Sequence, residues 1–86
     1  MKGIVFTEFL EMVEAKYSAD VVDQILEDSE LPSGGIYTSV GTYEHAEMIS
    51  LLSELSKHSG LGTQVLLCVF SEYLFARFAA LYPEFF

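Results

Sequence analysis

Eighty-six residues make one domain or a piece of one, and a chain this short buries only about 60–65% of the surface its unfolded state exposes, so marginal stability is expected. With 51% hydrophobic and 14% aromatic residues the chain is too rich in core-forming side chains for a disordered tail, and some of its apolar surface is expected to meet a ligand or a partner. Thirteen acidic residues against Lys2, Lys16, Lys57 and Arg77 give a net charge of -9, which repels phosphate backbones and anionic headgroups and argues against nucleic-acid and membrane-surface binding.

The first predicted element is an amphipathic helix from Lys2 to about Tyr17, with Val5, Phe6, Phe9, Leu10, Val13 and Tyr17 inward and Glu8, Glu11 and Glu14 on the other side. Ser18 then caps a second, short helix. Its inward residues are Val21, Val22, Ile25 and Leu26, with Asp20, Asp23 and Glu27 outward, and it ends before Leu31. Pro32, Ser33, Gly34 and Gly35 are the strongest breaker cluster, and 36–43 reads as a loop.

Thr42 is the predicted cap of a third helix that runs to about His58, with Met48, Ile49, Leu52 and Leu55 on one face and Gly60 as its C-terminal cap. Thr63 opens a fourth helix, from about Gln64 to Tyr82, stopped by Pro83. Val65 to Phe70 are apolar on almost every side, so this helix is expected to be surrounded by protein. Its second half adds Tyr73, Leu74, Phe75, Phe78 and Leu81, more than three short helices can cover. The expected class is therefore all-α, a small bundle of about four helices occupying residues 1–86 as one unit.

The longest apolar run, Val65 to Phe70, has six residues and is followed by Glu72 and Arg77, far short of the roughly 20 residues a bilayer span needs. Glu8 and Glu11 interrupt the N-terminal apolar stretch before a signal-peptide core forms. A single cysteine, Cys68, forms no internal disulfide, and the expectation is a soluble cytoplasmic protein without a membrane partner.

Little in the chain points to catalysis or metal binding. His45, between Glu44 and Glu47, reads as solvated; His58, beside Lys57 at a helix C-terminus, reads as a surface cap favoured by the dipole. Cys68 reads as a small buried hydrophobe. These three residues are too scattered for a zinc site, no nucleophile lies in a recognisable setting beside a base, and the Pro32-Ser33-Gly34-Gly35 turn lacks the lysine of a phosphate-binding loop. The chain is not expected to be an enzyme.

Several short blocks occur in an informative order: Met1-Lys2-Gly3-Ile4, Asp20-Val21-Val22-Asp23, Leu31-Pro32-Ser33-Gly34-Gly35, Tyr37-Thr38-Ser39-Val40-Gly41-Thr42-Tyr43, and Tyr82-Pro83-Glu84-Phe85-Phe86. Together they resemble H-NOX domains, the haem nitric oxide/oxygen-binding domains of gas sensors, along the whole chain. The resemblance implies the N-terminal, distal-side helical lobe of such a domain. The C-terminal half, with its proximal histidine and its Tyr-x-Ser-x-Arg propionate motif, has no counterpart in these residues.

By resemblance, Val5 and Phe9 on the first helix and Leu74 and Phe78 on the last form the distal wall over the haem; periodicity alone would make all four ordinary core. Each pair is one helical turn apart, and two such faces packed at an angle cover a flat porphyrin. An apolar wall offers no hydrogen bond to oxygen and so favours nitric oxide. The implied partners are haem, nitric oxide, the C-terminal half of the sensor domain, and a signalling protein such as a histidine kinase or a diguanylate cyclase. An alternative from size and the apolar last helix is a haem-free helical interaction module that self-associates into a homo-oligomer.

Overall fold

In a computed structural model that describes residues 1–29, 31 and 34–81, the chain is a bundle of four helices. They are α1 (Gly3–Lys16), α2 (Ala19–Asp28), α3 (His45–Ser59) and α4 (Thr63–Leu81). Each helix packs against the next in the chain, and α4 returns to pack against α1. The all-α expectation holds: the described residues contain no strand, only an isolated antiparallel bridge between Lys2 and Thr42. The predicted stop at Pro83, the final block from Tyr82 to Phe86, and Pro32 and Ser33 of the breaker cluster lie outside the described residues.

Helix α1 forms where the apolar stripe is, but the stripe is turned slightly from its expected position. Phe6, Phe9, Met12 and Val13 are fully buried, whereas Val5 and Leu10 are only partly covered and Tyr17 is exposed. Glu8, expected on the outer face, is buried, because its carboxylate turns to a basic partner on α4. In α2, Ser18 caps as predicted, its Oγ accepting a hydrogen bond from the Val21 N–H at 3.2 Å. Ile25 is fully buried while Val21, Val22 and Leu26 lie against the core's edge.

Helix α3 begins at His45, two residues later than a Thr42 cap would require, and its N-cap is Glu44 without a side-chain hydrogen bond. Thr42 is unavailable for capping because its backbone pairs with Lys2, and Tyr43 donates its N–H to the Met1 carbonyl at 2.8 Å. The inward face is Met48, Leu51, Leu52 and Leu55; Ile49, expected inside, is 56% exposed. Gly60 ends the helix in the left-handed conformation at φ 76°, its N–H donating to the Ser56 carbonyl at 2.9 Å.

The largest correction concerns α4. Its first half, expected to be surrounded, is not: Leu66 and Phe70 are buried but Val65 and Leu67 are exposed, while the exposure of Phe75 and Leu81 matches the surplus expected of its second half. Cys68 is exposed as well, overturning its reading as a buried hydrophobe. Two partner helices, α3 and α1, cover only one side of a helix that is apolar on almost every side. The expectation that no segment approaches a bilayer span also changes, because Thr63–Leu81 is 19 residues with a mean hydropathy of 1.5, enough to cross a membrane by length and composition alone. Core helices pass the same test, and here one face of the helix does lie in the core.

Candidate functional site

The seam between α1 and α4 carries the positions of interest. Three contacts define its register. Phe9 meets Phe70 edge to face, with ring centroids 5.1 Å apart and an interplanar angle of 89°. Glu8 meets Arg77. Beyond them, Glu11, Glu14, Ala15 and Tyr73 line an open groove of about 500 Å³. Residue numbers rise along α1 as they fall along α4, so the helices are antiparallel.

The four predicted residues lie on the two helices that form this seam, with unequal exposure. Phe9 is fully buried and Leu74 packs partly covered against the core. Val5 and Phe78 are each half-buried. Val5, Leu74 and Phe78 can accept a flat apolar ligand in this arrangement, with Phe9 supporting them from within.

A charged group crosses the same seam. The Arg77 guanidinium donates from Nε to Glu8 Oε2 at 3.0 Å and from Nη2 to Glu8 Oε1 at 3.1 Å, a two-point fork onto one carboxylate. Its Nη2 also lies 3.8 Å from Glu11 Oε2. The hydrogen bond to Glu8, and then its charge, hold the Arg77 pKa above its ordinary value. Burial raises the Tyr73 phenol, and the Glu8 charge raises it further. Periodicity assigned Glu8 to solvent and missed this pair; the available signal was Arg77 as the single basic residue of a mostly apolar helix, which needs a partner.

The 36–43 loop is held as firmly as a helix. Phe6 stacks on Tyr37 with centroids 4.5 Å apart and meets Tyr43 edge-on at 5.5 Å. The Tyr37 hydroxyl donates to the buried Glu47 carboxylate at 2.9 Å, and the Tyr43 hydroxyl accepts from the Thr38 N–H at 2.9 Å. The loop thus ties the start of α1 to the start of α3.

Among the described residues no group of three or more histidine, cysteine, aspartate or glutamate side chains is arranged to hold a metal ion. His45 is exposed at the start of α3. His58 lies 3.5 Å from Asp28, on the α2–α3 side of the bundle and away from the seam.

The chain is similar to proteins of one known family. A family model described as haem-NO-binding matches residues 2–86. An H-NOX protein of K. algicida, solved in the Fe(II) unliganded state, is 45% identical and superposes with a TM-score of 0.93 over 99% of this chain and 46% of its own. The H-NOX of Shewanella woodyi, solved with IWP-051 in the Fe(II)CO state, is 39% identical, with a TM-score of 0.83 over 99% of this chain and 45% of its own. An S. oneidensis H-NOX protein in the Fe(II)NO state is 26% identical with a TM-score of 0.82, over 98% of this chain and 46% of its own. The chain spans less than half the length of these relatives. No curated protein matches its sequence.

Proposed function

The chain belongs to the haem-NO-binding family, and from that premise we propose that its α1–α4 seam is the distal wall of a haem pocket in a gas-sensing domain. The observation that supports the proposal is that α1 and α4, the helices carrying Val5, Leu74 and Phe78, pack antiparallel in a chain matched by the family model along nearly its whole length. Val5, Leu74 and Phe78 fit the face of a porphyrin, being apolar and only partly covered, with the charged Glu8–Arg77 pair beside them. These three side chains offer no ligand to iron, and the two histidines lie elsewhere, His45 exposed at the start of α3 and His58 beside Asp28. A bound haem would supply the metal at which a diatomic gas coordinates, and its ligand would come from a C-terminal half.

The chain's own residues exclude water and set polarity. Val5, Leu74 and Phe78 carry no hydrogen-bond donor, so this wall does nothing to stabilise oxygen selectively and leaves nitric oxide as the favoured ligand. The signal would be a movement of this lobe against the other, passed to a histidine kinase or a diguanylate cyclase in the cytoplasm. No catalytic step is assigned to these residues.

The test is a visible-absorption titration with haem, reduced without air and then exposed to nitric oxide. It is made on the 86-residue chain and on a chimera joining it to the unmatched remainder of the K. algicida protein. The expected result is haem uptake by the chimera, a Soret shift with nitric oxide, and weakened uptake in Phe78→Asp. A correctly folded chimera whose spectrum matches free haem would reject the proposal.

A second reading has its own observation. Val65, Leu67 and Leu81 leave apolar surface on α4 that the other helices do not cover, which fits a haem-free module that self-associates. That reading expects a colourless dimer or larger species from light scattering, and a colourless monomer at high concentration excludes it.

A further inference from the structure

We propose that Arg77 and Glu8 are positioning residues for this wall: their forked ion pair fixes the spacing and register of the α1 and α4 faces, and through them the gas affinity of the pocket. The inference rests on the haem-pocket reading above and deepens it. On α1, Glu8 has Val5 three residues before it and Phe9 immediately after; on α4, Arg77 has Leu74 three residues before it and Phe78 immediately after. The clamp is thus attached at the same offset to both members of both pairs, and no wall residue is more than one turn from it.

Apolar contact alone leaves this seam under-determined. The Phe9–Phe70 contact joins the helices at one level, and hydrophobic contact is non-directional, so α4 could roll or slide about it. The Arg77 fork adds a directional attachment at a second level, with two hydrogen bonds in one plane. The two attachments come from neighbouring residues of α1 and reach α4 seven residues apart, about 10 Å along its axis, so together they fix the direction and register of α4 against α1. Glu8 is 5% exposed, so water competes poorly for its carboxylate. Glu11, with its carboxylate 3.8 Å from Arg77, is a second acceptor one turn along α1, so loss of Glu8 would draw Arg77 toward it and carry Phe78 out of register.

The experiment compares Arg77→Gln, Arg77→Lys, Glu8→Gln and the double variant Glu8→Gln/Arg77→Gln in the haem-loaded chimera and in the haem-free 86-residue chain. In the chimera, either glutamine variant should keep haem and change the nitric oxide dissociation rate by about tenfold, the scale of coupling between contacting groups. The double variant should be no worse than either single, and Arg77→Lys should recover only part, because an ammonium makes a point contact where the fork makes two. In the haem-free chain, NMR cross-peaks linking Leu74 and Phe78 to α1 should change while those between Phe6 and Tyr37 persist. A haem-binding wild type whose variants release nitric oxide at the wild-type rate overturns the clamp alone. So does simultaneous loss of the Phe6–Tyr37 cross-peaks, since the pair would then only hold the fold. A wild-type chimera that takes up no haem overturns the pocket reading and this inference with it.

Discussion

Gly3 lies so close to Thr38 that a Cβ added to it would stand 1.7 Å from the Thr38 carbonyl oxygen. The contact is between backbones, with the Gly3 N–H donating to the Gly41 carbonyl at 2.8 Å, so no side chain can swing aside to make room. Gly3→Ala should therefore push the loop off the start of α1 and destabilise the chain by about 1–3 kcal/mol. Urea unfolding measures this directly, and a midpoint equal to that of the wild type would mean that the close approach is not present in solution.

The buried Glu47 carboxylate makes the next prediction. Tyr37 donates to it at 2.9 Å from a ring stacked on Phe6. Tyr37→Phe keeps the stacking and deletes the donor, so its cost isolates the hydrogen bond, at about 1.5–3 kcal/mol for a bond to a charged acceptor. A loss below about 0.5 kcal/mol would show that other partners of Glu47 satisfy the carboxylate without it.

Neighbouring leucines on α4 should respond in opposite ways. Leu66 is 1% exposed and Leu67 is 47% exposed. Leu66→Ala should cost about 2–5 kcal/mol through lost burial and the cavity left behind. Leu67→Ala should stay within about 0.5 kcal/mol, as surface changes do. Equal losses at a concentration where the chain is dimeric would place Leu67 in an interface between copies.

Alkaline pH tests Tyr73. Burial, followed by the Glu8 charge, raises its pKa above the ordinary value of 10.0. A group whose folded pKa is raised contributes stability that is complete below its unfolded pKa and is lost as pH rises toward and through the folded value. The wild type should thus lose stability relative to Tyr73→Phe as pH climbs above about 10, and not between about pH 6 and 9. A difference between the two that stays constant from neutral to alkaline pH would contradict the shift.

Helix α2 offers the simplest check. Ser18→Ala removes the acceptor of the Val21 N–H and should cost about 1 kcal/mol, measured by thermal unfolding. Ser18→Asp should recover it, since a carboxylate caps a helix N-terminus as well as a hydroxyl does. Failure of the aspartate variant to recover stability would show that Ser18 acts by something other than capping.

What the amino-acid order determined by itself were the features that depend on near neighbours: four helices in place, the Ser18 cap, the Gly60 end in its left-handed conformation, and the block order that marks the family. Capping and periodicity act within a few residues, so they can be read along the chain. Only the tertiary structure decided which residues of α4 are covered. A helix apolar on every side has no stripe to read, and its burial depends on how many neighbours can reach it. Tertiary contacts also decided that Glu8 turns inward, since its partner Arg77 is 69 positions away, and that Thr42 pairs with Lys2 instead of capping α3. The four residues proposed for the wall could be paired from the sequence by their one-turn spacing, but their unequal exposure could not be read there. Phe9 is enclosed because Phe70 arrives from a distant part of the chain, and no spacing rule within α1 encodes that arrival.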